Sequence, residues 1–485
     1  MSREQLLAFV GEQATQIAAL RAMNTELATR LARVEHLLSR NSGNSSMPPS
    51  MDGDPGRTPP AVKKRRGGPK RPKGKQPGAP GANLAWLDKP DDQQDRFPQG
   101  LCECGHDLAD AADLGVVDRY QQHEIPQVTV KVTQYDQHAV RCGCGAVHTA
   151  MRPDGARAGP VGYGPNLQAF AVYLMVVQFI PVQRCVELLE SLTGATPSAG
   201  FVHGMLTRAA GLLAEVDKRI RALITLAYAV CADETPLRVG PRAPKPGRKK
   251  AEKYLLVACT ELYTHYLLGD RDLDTFKASV LAELTDSVLV HDRYRLYDSA
   301  ELGELTHQLC CQHLCRDLDG AGEVYPDAVW PAQIAEALRA LMHQSNLARE
   351  AGRDTLDDAI KNKLIKLFKD GVLVGLSDTT SHADRPGERK ARLVLEVLRD
   401  READVLRFAH DLNVPATSNQ AERDLRPAKT QQKISGRLTS EQRTTDRYRI
   451  RGYLSTAAKH GCNTMDALRD AILGRPWIPP DPAPA

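Results

Sequence analysis

What this sequence lacks narrows the reading first. No apolar run is long enough to cross a bilayer: the longest, LQAFAVYLMVVQFIPV at 167–182, is broken by Gln178 and Pro181 before reaching about 20 residues. The N-terminus lacks the basic segment, apolar core and small-residue cleavage site of a secretory signal, so a cytoplasmic protein with no membrane partner is expected. In a reducing compartment, eleven cysteines are read as metal ligands and small buried apolar residues rather than as a disulfide framework. Acids are missing from 57–75, which carries Arg57, Lys63, Lys64, Arg65, Arg66, Lys70, Arg71, Lys73 and Lys75 although the whole chain has a net charge of only +4. Such a stretch calls for a polyanionic partner.

The 485 residues allow several domains. In 1–40, Leu6, Val10, Ile17, Leu20, Leu27, Leu31, Val34 and Leu38 recur at spacings of three and four, with Gln13 and Asn24 as polar exceptions. That is a heptad seam, and it predicts a coiled-coil dimer, with Asn24 suited to fixing register. Residues 41–85 are rich in Ser, Gly, Asn and Pro and then in Lys and Arg; they cannot bury a core and read as a disordered basic linker, an extended arm for DNA.

Residues 95–155 hold two paired cysteines, Cys102 with Cys104 and Cys142 with Cys144, flanking the strand-like VTVKVTQYDQHAV. Four thiolates brought together by a hairpin suit structural zinc in a small ribbon-like β module, with His106 or His148 as substitute ligands. The spacing is C-x-C rather than the commoner C-x-x-C. From 160 to 226 the period is helical, and the two helices joined by TGATPSAG read equally as a helix-turn-helix or as an ordinary hairpin; Thr196-Pro197-Ser198 is a helix-start signal.

Beyond 226 the period changes. LAYAVCAD ends at Asp233, KYLLVACT and YTHYLLG read as a hairpin, DTFKASVLAEL as a helix, and SVLVHD as a short strand ending at Asp292. Two carboxylates at strand ends of an α/β domain mark a place where chemistry collects. A third acid, Glu422, lies in TSNQAERDLRP, where Thr417 and Gln420 form a capping-box pattern and Pro427 is expected to end the helix early. Three carboxylates in one cleft repel unless a cation holds them ionised, and Mg2+ (or Mn2+), as two ions, fits that role in phosphoryl transfer. After Glu422 come Arg423, Arg426, Lys429, Lys433 and Arg437, which with Asn419 make a basic surface for DNA phosphate.

ADETPLRV, VLVHDRYRLYD and NQAERDLRPAK resemble the three acidic motifs of the insertion sequence 66 family of DDE transposases, and RNSGNSSMPPSMDG resembles that family's Ser-Pro-rich segment. The resemblance covers nearly the whole chain. It implies a multidomain α/β protein whose RNase H-like mixed sheet, in 227–320 and 413–475, is interrupted by an all-α insertion at 321–412 that helps hold transposon-end DNA, with 476–485 as a tail. It implies Asp233 on the first strand, Asp292 after the fourth, and Glu422 on a late helix, all catalytic and metal-binding. CCQHLCRDL departs from the family's Cys-Trp-x-His segment, since Cys311 stands where Trp is expected; Cys310, Cys311, His313 and Cys315 are a conceivable second metal site, with buried packing as the plainer reading. His313 and Arg316 are DNA-contact candidates. The expected activity is cleavage and joining of DNA at terminal inverted repeats, by at least a dimer at the nucleoid, with accessory proteins of the same element as further partners. Two rivals are a non-catalytic DNA-binding regulator and an RNase H-like nuclease that cleaves without joining.

Overall fold

The computed structural model describes residues 3–41, 84–156, 159–243, 252–380 and 385–481. The chain divides into two compact units, Val62–Lys131 and the remainder. The basic arm residues Lys63, Lys64, Arg65, Arg66, Lys70, Arg71, Lys73 and Lys75 lie outside the described residues.

Within Val62–Lys131, the described stretch is held by turns rather than by long elements. Cys102 N–H donates to the His106 carbonyl and Gly105 N–H to the Cys102 carbonyl, both at 2.8 Å. Gly105 has φ +87°, a conformation that favours glycine. Asp107 caps the following short 3-10 turn by accepting from Ala109 N–H at 3.0 Å.

The larger unit begins with α1 (Arg3–Ser39), a single helix along which Ile17, Leu20, Leu27, Leu31, Val34 and Leu38 are all exposed. The strands β1 (Ala139–Arg141) and β2 (Val147–Thr149) pair antiparallel around Cys142 and Cys144. VTVKV, expected as a strand, has no regular structure: Val128, Val130 and Val132 are exposed, so the alternation has no apolar surface to bury against.

Four helices follow, α2 (Pro165–Val176), α3 (Val182–Thr193), α4 (Ala199–Leu212) and α5 (Ala214–Thr225). Gly194 at φ +71° ends α3, and Ser198 caps α4 by accepting from Phe201 N–H at 3.1 Å. The sheet is then built from β3 (Ala229–Leu237), β4 (Lys253–Cys259), β5 (Thr264–Gly269), β6 (Val288–His291) and β7 (Thr306–Leu309), with the short helix α6 (Leu273–Ala278) between β5 and β6. Its order is β5-β4-β3-β6-β7, antiparallel from β5 to β3 and parallel from β3 to β7. This is a mixed sheet in a mixed α/β protein.

Helices α7 (Cys311–Val324), α8 (Trp330–Glu350), α9 (Asp358–Asp378), α10 (Pro386–Asp400) and α11 (Glu402–His410) come next, then α12 (Asn419–Ile434), α13 (Glu441–Lys459) and α14 (Thr464–Ile472). Strand alternation sorts the core into layers. Val230, Ala232, Leu256, Ala258 and Leu289 face α2–α5, α13 and α14. Cys231, Leu255, Val257, Val288 and Val290 face Ala421, Leu425 and Ala428 of α12. Helices α7–α11 build their own core around Trp330, Leu338, Leu395 and Phe408.

The start and end of α12 differ from the capping-box expectation. Ser418, not Thr417, is the cap residue, and no side-chain cap bond forms, because Gln420 turns its amide to Asp424 Oδ1 at 3.2 Å. Pro427 sits inside the helix, which runs on to Ile434. Fully buried Ala421, Leu425 and Ala428 on either side of Pro427 hold the helix to the sheet, so tertiary packing overrides the roughly 3 kcal/mol that an interior proline costs.

Candidate active site

Asp233 and Asp292 are brought together by sheet register. The parallel ladder of β3 and β6 ends at Cys231↔Val290, so each aspartate lies two residues beyond that pair, on neighbouring strands and on the face covered by α12. Asp233 is not at the end of its strand, as expected from the sequence, but in the middle of β3. Burial first, then the charges of Glu234 and Asp292, push its carboxyl up to about 8, while His313 and Lys429 pull the other way. An acid held this high is one that its neighbours do not fully compensate. Asp292 Oδ1 accepts from Tyr294 N–H at 2.8 Å, which fixes the carboxylate at the turn after β6.

Glu422 arrives from the first turn of α12 and lies 3.7 Å from the guanidinium of Arg316. Arg316 is on α7, three residues after His313, so the two share one helix face. His313 in turn interacts with both aspartates: burial would lower it, but hydrogen bonding to Cys310 and the charges of Cys310, Asp233 and Asp292 push it up to about 9. On α12, Lys429 shares the face of Glu422 two turns on and acts on Asp233. One face of α7 and one face of α12 therefore surround the same group of acids.

Cys310 knots these parts together. Its N–H donates to the His291 carbonyl of β6 at 2.8 Å, its sulfur accepts from Ser418 N–H at 3.3 Å, and it caps α7. Burial opposes its thiolate, yet His313 and Ser418 bring the thiol down to about 7. Cys311 and Cys315 instead point into the helical core, near the carbonyls of Val405 and Ala335. That is the packing reading of this cysteine run.

Sequence reasoning missed Glu234. It projects from β3 opposite to Asp233, accepting from Tyr297 Oη at 2.7 Å and from Arg271 Nε at 3.0 Å. Arg271 stacks 3.7 Å above the Tyr294 ring. Burial and the charge of Asp292 raise Glu234 against the pull of Arg271 and Tyr297. The network clamps the turn carrying Asp292 to β3. The one available signal was the adjacency of Asp233 and Glu234, whose side chains a strand sends to opposite faces. A second clamp holds that turn to the helical insertion, where buried Asp317 of α7 pairs with Arg293 and with Lys390 of α10.

The DNA-contact candidates on and just after α12 divide. Asn419, Arg423, Arg426 and Lys433 are exposed and recur at helical spacing as one outward stripe. Lys429 is half-buried over Asp233, and Arg437 directs its guanidinium to the carbonyls of Val239, Gly240 and Pro241 at 3.3, 3.5 and 3.1 Å.

The pairs Cys102/Cys104 and Cys142/Cys144 belong to different units. Both form the same turn, with Cys142 N–H donating to the Ala146 carbonyl and Gly145 N–H to the Cys142 carbonyl at 2.8 Å, as around Cys102. In each, the main chain and thiol of the second cysteine lower the first thiol.

The model of the Transposase IS66 family matches residues 161–445, more than half the chain. The chain belongs to that family. The match to IS66 transposases runs from just before α2 into α13 and includes Asp233, Asp292 and Glu422. A second model, of a family of unknown function (DUF6444), matches residues 4–85, which contain α1 and the basic arm of this IS66-family transposase. No curated protein matches the chain. Among the described residues, no helix is long and apolar enough to cross a membrane.

Proposed function

We propose that this IS66-family protein cuts and joins DNA at the ends of a mobile element, with Asp233, Asp292 and Glu422 as a DDE set. The observation that carries this reading is Asp233 on β3 and Asp292 just past the end of β6, on one face under α12, with Asp233 pushed up to about 8. The sheet order, antiparallel then parallel with Asp233 on its first strand, supports an RNase H-like core. The acids offer only hard oxygen donors and an excess of negative charge, which fits Mg2+ or Mn2+. When bound, two such ions activate the attacking oxygen and stabilise the leaving oxygen of an in-line phosphoryl transfer. The protein's own groups orient that site: Tyr294 N–H holds Asp292, Arg316 holds Glu422, and protonated His313 balances the paired aspartates.

DNA lies across the exposed stripe of α12 in this account. Neutralising Arg423, Arg426 and Lys433 removes three phosphate contacts and lowers the slope of log affinity against log salt by about 2 to 3. Arg437→Gln leaves the slope unchanged, since its partners are main-chain carbonyls. Filter binding at graded salt reads both, and an unaltered slope in the triple variant removes α12 from the interface.

The exposed apolar stripe of α1 pairs two subunits as a coiled coil, so that two DNA ends are held together. Each cysteine turn, with its first thiol already lowered, offers a pair of soft donors for structural zinc. The protein acts at the nucleoid, with accessory proteins of its element. The test is incubation of the full chain with labelled element ends and Mg2+: joined products that require the specific terminal repeats support a transposase. Cleavage without joining supports a nuclease, and binding without either supports a regulator.

A further inference from the structure

We propose that His291, His307 and Asp298 form a second metal site, selective for a borderline divalent ion such as Zn2+ and separate from the acidic cluster. It is the one group of three such residues, among those described, whose candidate ligand atoms all lie within 4.8 Å of one another. His291 Nε2 and His307 Nδ1 are 3.0 Å apart. Two imidazoles bound tetrahedrally to one ion at about 2.0–2.1 Å place their nitrogens roughly 3.3 Å apart, so the pair must open by only a few tenths of an ångström to bind.

The backbone builds this arrangement. In the β6–β7 ladder Leu289 pairs with His307 and His291 with Leu309, so the two histidines are diagonal neighbours on one face. That face carries Leu289 and Tyr297, and His291 stacks 4.7 Å from the Tyr297 ring. Asp292, the next residue, points to the opposite face. The two sites are thus adjacent in sequence yet separated by the thickness of the sheet.

His291 is fully buried, His307 is half-buried and Asp298 is exposed, so an ion enters from the Asp298 side. Arg401 pairs with both oxygens of Asp298, at 2.9 and 3.0 Å, and also with Asp404 at 2.9 Å. The link to Asp404 keeps Arg401 in place when one Asp298 oxygen turns to the ion, and Arg401 then orients that carboxylate from outside. Arg407 fixes the β7 side by donating to the His307 carbonyl at 2.8 Å. Among the described residues His291 Nδ1 has no hydrogen-bond partner, and it takes the proton when Nε2 leaves its hydrogen bond with His307 for the ion.

Donor chemistry separates the two sites. Two imidazole nitrogens and one carboxylate favour Zn2+, Co2+ or Ni2+, whereas the all-oxygen acidic cluster favours Mg2+ or Mn2+. An ion here ties β6, the 295–298 turn and β7 together directly behind Asp292, bracing the segment that carries it.

The test uses full-length protein equilibrated with buffered micromolar Zn2+ in excess Mg2+, followed by metal analysis. Wild type is expected to retain one zinc per chain more than His307→Ala and Asp298→Ala, with unchanged circular dichroism. Any zinc on the cysteine turns is common to all three and cancels. Equal zinc content overturns the site. Should either variant unfold, His307→Cys decides: retention of the zinc, with a new thiolate-to-cobalt absorption band on Co2+ substitution, supports the site, and absence of that band overturns it. None of these readouts depends on DNA chemistry.

Discussion

Glu422→Gln lowers strand joining by at least about 10³-fold, equivalent to roughly 4 kcal/mol of barrier, while leaving affinity for end DNA nearly unchanged. Glutamine keeps the shape of the side chain at the start of α12 but cannot supply a full negative charge to a divalent ion. Among the described residues that charge makes one ion pair, with Arg316, long at 3.7 Å, and Glu422 is partly exposed, so its loss costs the fold little. Joined-product yield on labelled ends, with binding measured alongside, reads the effect. Parallel loss of binding and joining would mean that Glu422 serves the DNA surface rather than the reaction, and normal joining would remove it from the site.

Asp233→Asn stabilises the metal-free protein at alkaline pH and destroys joining. The folded state raises this carboxyl from 3.8 to about 8. Its contribution to stability is therefore fully present below about pH 4 and is lost as pH rises through 8. Asparagine cannot ionise, so wild type and variant melt together near pH 4 and diverge above it, the variant higher by roughly 6 °C at pH 8. His313, raised to about 9 in part by the charge of Asp233, adds a loss of the same sign between 6.5 and 9 that is smaller in the variant. Excess Mg2+ reverses the order, because an ion bound to the native state stabilises the wild type and not the variant. Calorimetry at pH 4 and pH 8, with and without Mg2+, measures all four values. A wild type that gains nothing from Mg2+ at pH 8 would contradict the reading of Asp233 as a ligand. A site that costs stability when empty is the expected signature of one shaped for function.

Much of this was legible in the chain itself. The apolar runs around CAD and VLVHD marked two strands, but the register that pairs Cys231 with Val290, and so puts Asp233 and Asp292 on one face, is not written in either run. Apolar residues also recur at helical spacing in WPAQIAEALRALMHQ and KARLVLEVLRDREADVLRFAHD, and there α8, α10 and α11 form, in the core that α7–α11 share. What was hidden depends on contacts distant in sequence. Cys310 reads as a packing residue until its sulfur is seen to accept from Ser418, 108 positions later. Glu234 went unnoticed because the residues that enclose it, Arg271 and Tyr297, lie 37 and 63 positions away in the chain. Pro427 was misread because local rules end a helix there, whereas burial of Leu425 and Ala428 carries α12 through it. VTVKV erred the other way, since alternation without an apolar surface to cover it does not make a strand.

The central claim, that two strand-borne aspartates and one helix-borne glutamate share divalent ions, is tested most directly by anomalous diffraction from crystals of the full chain grown with element-end DNA and Mn2+. The account predicts manganese about 2.1 Å from carboxylate oxygens of Asp233, Asp292 and Glu422, beside a DNA phosphate. Crystals whose dissolved contents join strands, yet whose manganese lies away from these three residues, would contradict it.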